Sequence, residues 1–101
     1  MATTSKALFR GAATTTTTTT LYTVPSSTVT IVTEIVVTNT SASAATFTLS
    51  LGGVLFASKI AVGGDDATVI DIKQPLTATQ TIQGGASATT VNFSISGVEI
   101  V

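Results

Sequence analysis

The chain has 101 residues, with 23 Thr, 11 Val and 8 Ile and no Cys, His or Trp; charged residues make up 9% and the net charge is −1. These figures exclude a disulfide, a Cys/His zinc site and any nucleophile paired with His. They also leave no basic stripe to neutralise a nucleic-acid backbone. β-Branched side chains lose rotamer freedom in helices and fit a pleated, half-buried sheet, so one small all-β domain is expected. A domain of this size has a thin core, and small scaffolds without staples often gain stability by oligomerising. The low charge points the same way, because a free monomer ordinarily keeps more charge on its outside. Part of the surface is therefore expected to be covered, by copies of the chain or by a larger assembly.

Along the chain, residues 1–20 stand apart from the rest. Met1 to Arg10 is short and mixed, and Gly11-Ala12-Ala13 leads into seven consecutive threonines, Thr14 to Thr20. Such a run has no amphipathic pattern, so residues 1–20 read as an extended Thr-rich arm and residues 21–101 as a β-sandwich domain. The arm is either a tether or a segment that docks on a neighbouring subunit. In the second case Leu8 and Phe9 are its apolar anchors and Lys6 and Arg10 the flanking charges. Lys6 and Arg10 bracket too few apolar residues for a signal-peptide core, and no run approaches the ~18 apolar residues of a membrane helix.

Strand signals begin at Leu21-Tyr22-Thr23-Val24, stopped by Pro25, with Ser26-Ser27 as a turn. Val29 to Asn39 is the longest strand. Period-two alternation puts Val29, Ile31, Thr33, Ile35 and Val37 on its core face. The opposite face is half apolar, which makes Thr30, Val32, Glu34 and Val36 the candidate contact with another subunit. Thr46 to Leu51 alternates with Phe47, Leu49 and Leu51 inward, and Gly52-Gly53 supplies a tight hairpin. Val54 to Val62 is a less regular apolar segment, and Gly63-Gly64-Asp65-Asp66 is the next turn. Ala67 to Ile72 sets Thr68, Ile70 and Ile72 on one face before Pro75 breaks the chain. Thr77 to Gln83 is a weaker strand closed by Gly84-Gly85. Thr90 to Val101 points Val91, Phe93 and Ile95 inward and bends at Gly97. Seven or eight short strands with Gly- or Pro-marked turns describe a single small β-sandwich or jelly-roll-like barrel.

No catalytic constellation is legible. The carboxylates are Glu34, Asp65, Asp66, Asp71 and Glu99. Asp65-Asp66 sit on a glycine turn, and calcium's ~6–8 oxygens are not supplied by any repeated Asx pattern. The glycine doublets lack a following helix and a Lys-Ser/Thr pair, so no phosphate loop is present. Asn39-Thr40-Ser41 and Asn92-Phe93-Ser94 match the glycosylation pattern, as chance allows in a chain with 33 Ser plus Thr. Glu34 reads as an exposed strand charge or as a partner of Lys59, Lys73 or a neighbouring subunit. No enzyme activity, cofactor, metal, nucleic acid or membrane is expected.

Two stretches carry a resemblance. Leu21-Tyr22-Thr23-Val24-Pro25, a short turn, and then the valine-rich run from Ile31 to Thr40 resemble small virion proteins of tailed bacteriophages. The ending Phe93-Ser94-Ile95-Ser96-Gly97-Val98-Glu99-Ile100 is similar to the terminal Ser-Gly-Val-Glu of those proteins. The resemblance runs from Lys6 onward, with Ser26-Ser27 where many relatives have an alanine-glycine turn. It implies a non-enzymatic building block assembled in the host bacterial cytoplasm into the virion. The expected form is a capsid decoration or cement protein, a homo-oligomer and most simply a homotrimer, seated on the major capsid or tail protein. A minor tail, collar or tail-tip component is the alternative address. A glycan-binding adhesion module would have only Tyr22, Asp65 and Asp66 to work with.

Overall fold

A computed structural model describes residues 3–101. It contains eight strands: β1 (Thr3–Ala12), β2 (Thr20–Thr23), β3 (Val29–Asn39), β4 (Ala45–Leu51), β5 (Val54–Val62), β6 (Ala67–Leu76), β7 (Thr81–Ala86) and β8 (Val91–Ile100). They form two four-stranded antiparallel sheets, ordered β1-β8-β3-β6 (sheet A) and β2-β7-β4-β5 (sheet B). The first strand pairs with the eighth, the second with the seventh, the third with the sixth and the fourth with the fifth. This is one long hairpin rolled up on itself, the winding of an eight-stranded jelly roll. Its tip is Gly52-Gly53, at φ +57° and +84°, the left-handed pair of a two-residue hairpin turn.

The core lies between the sheets. Phe47 of β4 and Phe93 of β8 meet edge to face across it, with ring centroids 6.2 Å apart and planes at 74°. Ile35, Leu49, Ile82 and Ile95 are fully buried around them. The inward sets anticipated for β4 and β8 are therefore found, Leu51 being only half-buried.

The longest strand departs from simple alternation. Against β8, Val32 faces Gly97 and Glu34 faces Ser96, so Thr33 is an extra residue on β3. A bulge of this kind reverses the phase of every later side chain. Thr30 and Val32 point inward before it, both 0% exposed, and Ile35, Val37 and Asn39 point inward after it. The expected contact face of Thr30, Val32, Glu34 and Val36 is therefore split. Its first two members belong to the core and only Glu34 and Val36 lie on the outside of sheet A.

The N-terminal residues also differ from the sequence reading. Thr3 to Ala12 are no separate arm but β1, an edge strand running from Thr3 opposite Ile100 to Ala12 opposite Asn92. Leu8 is the extra residue of a bulge between Ala7 and Phe9, and it turns into the core. Gly97 makes the room: a Cβ there would lie 2.7 Å from Leu8 Cδ1 and 2.6 Å from the Ile31 carbonyl oxygen. That glycine is a socket rather than a bend. The threonine run then crosses from sheet A to sheet B. Ala13 N–H donates to Val91 O (2.7 Å), while Thr14 O and Thr19 O accept from Ala86 and Gly84 of β7 (both 2.9 Å). The hydroxyls of Thr14 and Thr19 close the loop at 2.6 Å. Gly84-Gly85 consequently lies inside β7 instead of ending it. A Cβ at Gly84 would sit 2.6 Å from Thr48 O, so the close approach of β4 requires glycine there.

Candidate assembly surface

The strand orders place β1 beside β2 on one flank of the sandwich and β6 beside β5 on the other. The first flank is sealed. Glu99 shares the inward face of β8 with Ile95 and Gly97, and its side chain is 14% exposed. A carboxylate in that position needs partners, and three strands supply them. The Tyr22 hydroxyl on β2 donates to Glu99 Oε2. Thr30 Oγ1 on β3 lies 2.9 Å from the same hydroxyl, and Lys6 Nζ on β1 lies 3.5 Å from Glu99 Oε1. Burial raises the Tyr22 pKa, and the hydrogen bond given to Glu99 raises it further, against a smaller opposing effect of Thr30. The two stretches that carry the resemblance thus touch in space, through Tyr22 and Glu99. Seventy-seven residues separate them, so alternation within either strand gives no sign of the contact.

The second flank is open. Val54 and Ile60 of β5 stand opposite Leu51 and Phe47, on inward-facing positions of sheet B, yet they are 69% and 42% exposed because β6 does not close over them. Phe56 (38%) lies on the same flank, while Leu55 (60%) stands opposite Ser50 on the outer face of sheet B and Val69 (60%) opposite Val36 on the outer face of sheet A. Between the strands runs a groove of about 270 Å³ lined by Leu51, Val54, Phe56, Ile72 and Gln74. The sequence signal for this surface is the break in alternation at Val54-Leu55-Phe56. Three consecutive large apolar residues cannot all face one core from a strand.

The residues singled out from the sequence fall as follows. Leu8 is buried in its own chain, Phe9 packs against the same core, and Lys6 is paired with Glu99. Leu8 and Lys6 are thus engaged within the protomer, and Phe9 partly so. Arg10 is exposed. Asp65 and Asp66 form the expected turn, with Asp65 at φ +53°, and Asp66 Oδ1 accepts from Ala67 N–H. Asn39 is 1% exposed and bonds the 41–43 loop, Val62 O and Thr90, which makes it a loop clamp. Among the described residues no three of His, Cys, Asp and Glu come together, and no helix is long and apolar enough to cross a membrane.

No protein-family model matches the chain, and no curated protein matches it. It is similar to two crystal structures of a pentameric capsid protein isolated from metagenomic phage sequences, one of them solved by iodide phasing. Identities are 18% and 19% and TM-scores 0.41 and 0.42, over 94% of this chain and 58% and 60% of those chains. The chain spans about three fifths of the length of the solved proteins it matches.

Proposed function

We propose that the chain is a non-enzymatic, self-assembling structural component of a bacteriophage virion. The observation that carries this reading is the open β5–β6 flank. Val54, Leu55, Phe56, Ile60 and Val69 lie uncovered on two edge strands of a chain in which only 9% of residues are charged. Exposed apolar area of this kind, with Val54 and Phe56 beside the β5–β6 groove, marks an interaction site. The resemblance of the Tyr-Thr-Val-Pro and Gly-Val-Glu stretches to phage virion proteins supplies the setting, and their meeting at Tyr22 and Glu99 supports reading them as one signature. Jelly rolls recur in capsid and lectin domains, a fold-level analogy that agrees without deciding.

The finer form of the proposal is a capsid decoration or cement protein, a homotrimer seated on the major capsid protein. A minor tail, collar or tail-tip role is the second address. The glycan-binding alternative is disfavoured by Tyr22, whose hydroxyl is engaged by Glu99 and Thr30 instead of being offered to a ligand. Two measurements test the reading. Native mass spectrometry of the purified chain should give three times its 10.1 kDa mass; a five-fold multiple would keep self-assembly and replace the trimer. Immunogold labelling of particles should mark the head shell for decoration, or the tail for the second address. A monomer at high concentration together with unlabelled particles would overturn the proposal.

A further inference from the structure

We infer that copies of this chain dock head to tail, the β1 edge of one against the β6 edge of the next, with Arg10 entering an acidic pair formed by Glu34 and Asp71 of its neighbour. The inference deepens the self-assembly proposed above and rests on it for the presence of a second copy.

The outer face of sheet A carries it. The ladder registers align side chains in rows across the four strands. One row is Arg10, Ser94, Val36 and Val69; the next is Ala7, Ser96, Glu34 and Asp71. Glu34 and Asp71 are therefore directly opposite each other on neighbouring strands, and like charges so placed destabilise a sheet. Lys73 lies 3.7 Å from Asp71 and answers one of the two charges. Among the described residues Glu34 has no ion pair, and neither has Arg10. These opposite charges stand one row apart but on β3 and β1, two strand spacings or roughly 10 Å sideways. Setting copies side by side brings the β1 edge of one against the β6 edge of the next.

Charge also selects the arrangement. β1 contributes Lys6 and Arg10 and no carboxylate, whereas β6 together with Glu34 contributes two carboxylates and Lys73. A two-fold contact of β1 with β1 would oppose cations. The head-to-tail contact opposes unlike charges and covers Val69, Val54, Leu55, Phe56 and Ile60 with the β1–β2 flank, where Phe9 and Leu21 are half-buried. A continuous backbone ladder is not part of it. β1 is bulged at Leu8, and β6 takes three residues from Gln74 to Asp71 against two on β3 and carries Pro75. The contact is made by side chains. Head-to-tail contacts close into rings when the rotation permits, which suits an assembly of three or five copies equally.

Sedimentation equilibrium of the full chain and its charge variants tests this. Arg10 is exposed, so Arg10→Glu should melt as the wild type does while weakening assembly by about tenfold or more. Glu34→Arg should raise the melting temperature, because it removes the Glu34–Asp71 opposition, and yet weaken assembly by setting a second guanidinium against Arg10. The double variant Arg10→Glu/Glu34→Arg should restore assembly. Wild-type assembly by Arg10→Glu, a double variant as weak as Arg10→Glu alone, or a monomeric wild type would each overturn the inference. Rescue by the double variant alongside unlabelled virions would uphold this surface and sink the phage reading. Labelled virions with charge-insensitive assembly would do the reverse.

Discussion

The two flanks of the sandwich are built from the same parts and end in opposite states. Each is a pair of edge strands, β1 with β2 and β6 with β5, and each of the four is bulged against its inner neighbour. At β1 the bulge turns Leu8 into the Gly97 socket and leaves Lys6 in reach of Glu99. In β5 one register slip falls at Phe56 and another at Ser58-Lys59, where Lys59 takes φ +51°. There, large apolar side chains are left facing solvent. A bulge is thus neither a seal nor an opening by itself. What decides is which side chain it re-aims and whether the facing strand offers a hole.

The contrast can be broken or sharpened by substitution, in descending order of effect. Gly97→Ala fills the socket against the Ile31 carbonyl as well as Leu8, and a backbone atom cannot give way cheaply. Urea denaturation should show a loss of about 3 kcal/mol. Leu8→Ala empties the same socket and should lose about 2–3 kcal/mol, the low end for a buried leucine because it sits at an edge. If it instead behaves as a surface change, the first flank is not sealed by this contact. Tyr22→Phe removes the hydrogen bond to the inward carboxylate and should lose about 1–2 kcal/mol.

That variant has a pH signature. The Tyr22 pKa is raised in the folded chain, so the unfolded chain gives up its phenolic proton first. The resulting stability is complete below the ordinary value of about 10 and is lost as pH rises through the folded value. Wild-type melting temperature should therefore fall above pH ~10 more steeply than that of Tyr22→Phe. Smallest on folding is Val54→Ser on the open flank, where Val54 is 69% exposed, expected to stay within about 0.5 kcal/mol while weakening assembly. Were it to unfold the protein as Leu8→Ala does, the two flanks would not differ in the way described.

What the sequence made legible follows from how local each signal is. β4 and β8 announce themselves because Phe47-Thr48-Leu49 and Val91-Asn92-Phe93-Ser94-Ile95 alternate without interruption. The hairpin at Gly52-Gly53 is equally local. β3 is found in full, but its faces cannot be assigned, because Thr33 is extra only relative to β8, more than sixty residues away. β1 escapes notice because an edge strand that buries one bulged leucine has no period to detect. Gly84-Gly85 reads as a turn until Thr48 and the threonine loop are seen pressing on β7. The open flank has a trace in the chain, the unbroken Val54-Leu55-Phe56, although such a run is equally consistent with a buried strand. Arg10 and Glu34 were visible as charges, but their places on one face depend on two ladders that no single strand encodes.

The pairing of β1 with β8, Thr3 opposite Ile100, bears on how the molecule is made. Translation at about 5–20 residues per second delivers β8 seconds after β1. By then the β4–β5 hairpin can already have closed at its tip, since its loop is the shortest and loses least entropy on closure. The Lys6–Glu99 clasp joins β1 to β8 and can form only once β8 has been made. A nascent chain cut short before Gly97 lacks both the socket and the clasp, and keeps Leu8 without a place to go. The sealed flank is thus the part of the sandwich that depends most on strands far apart in the chain, since β1 finds its ladder, its socket and its clasp only on β8.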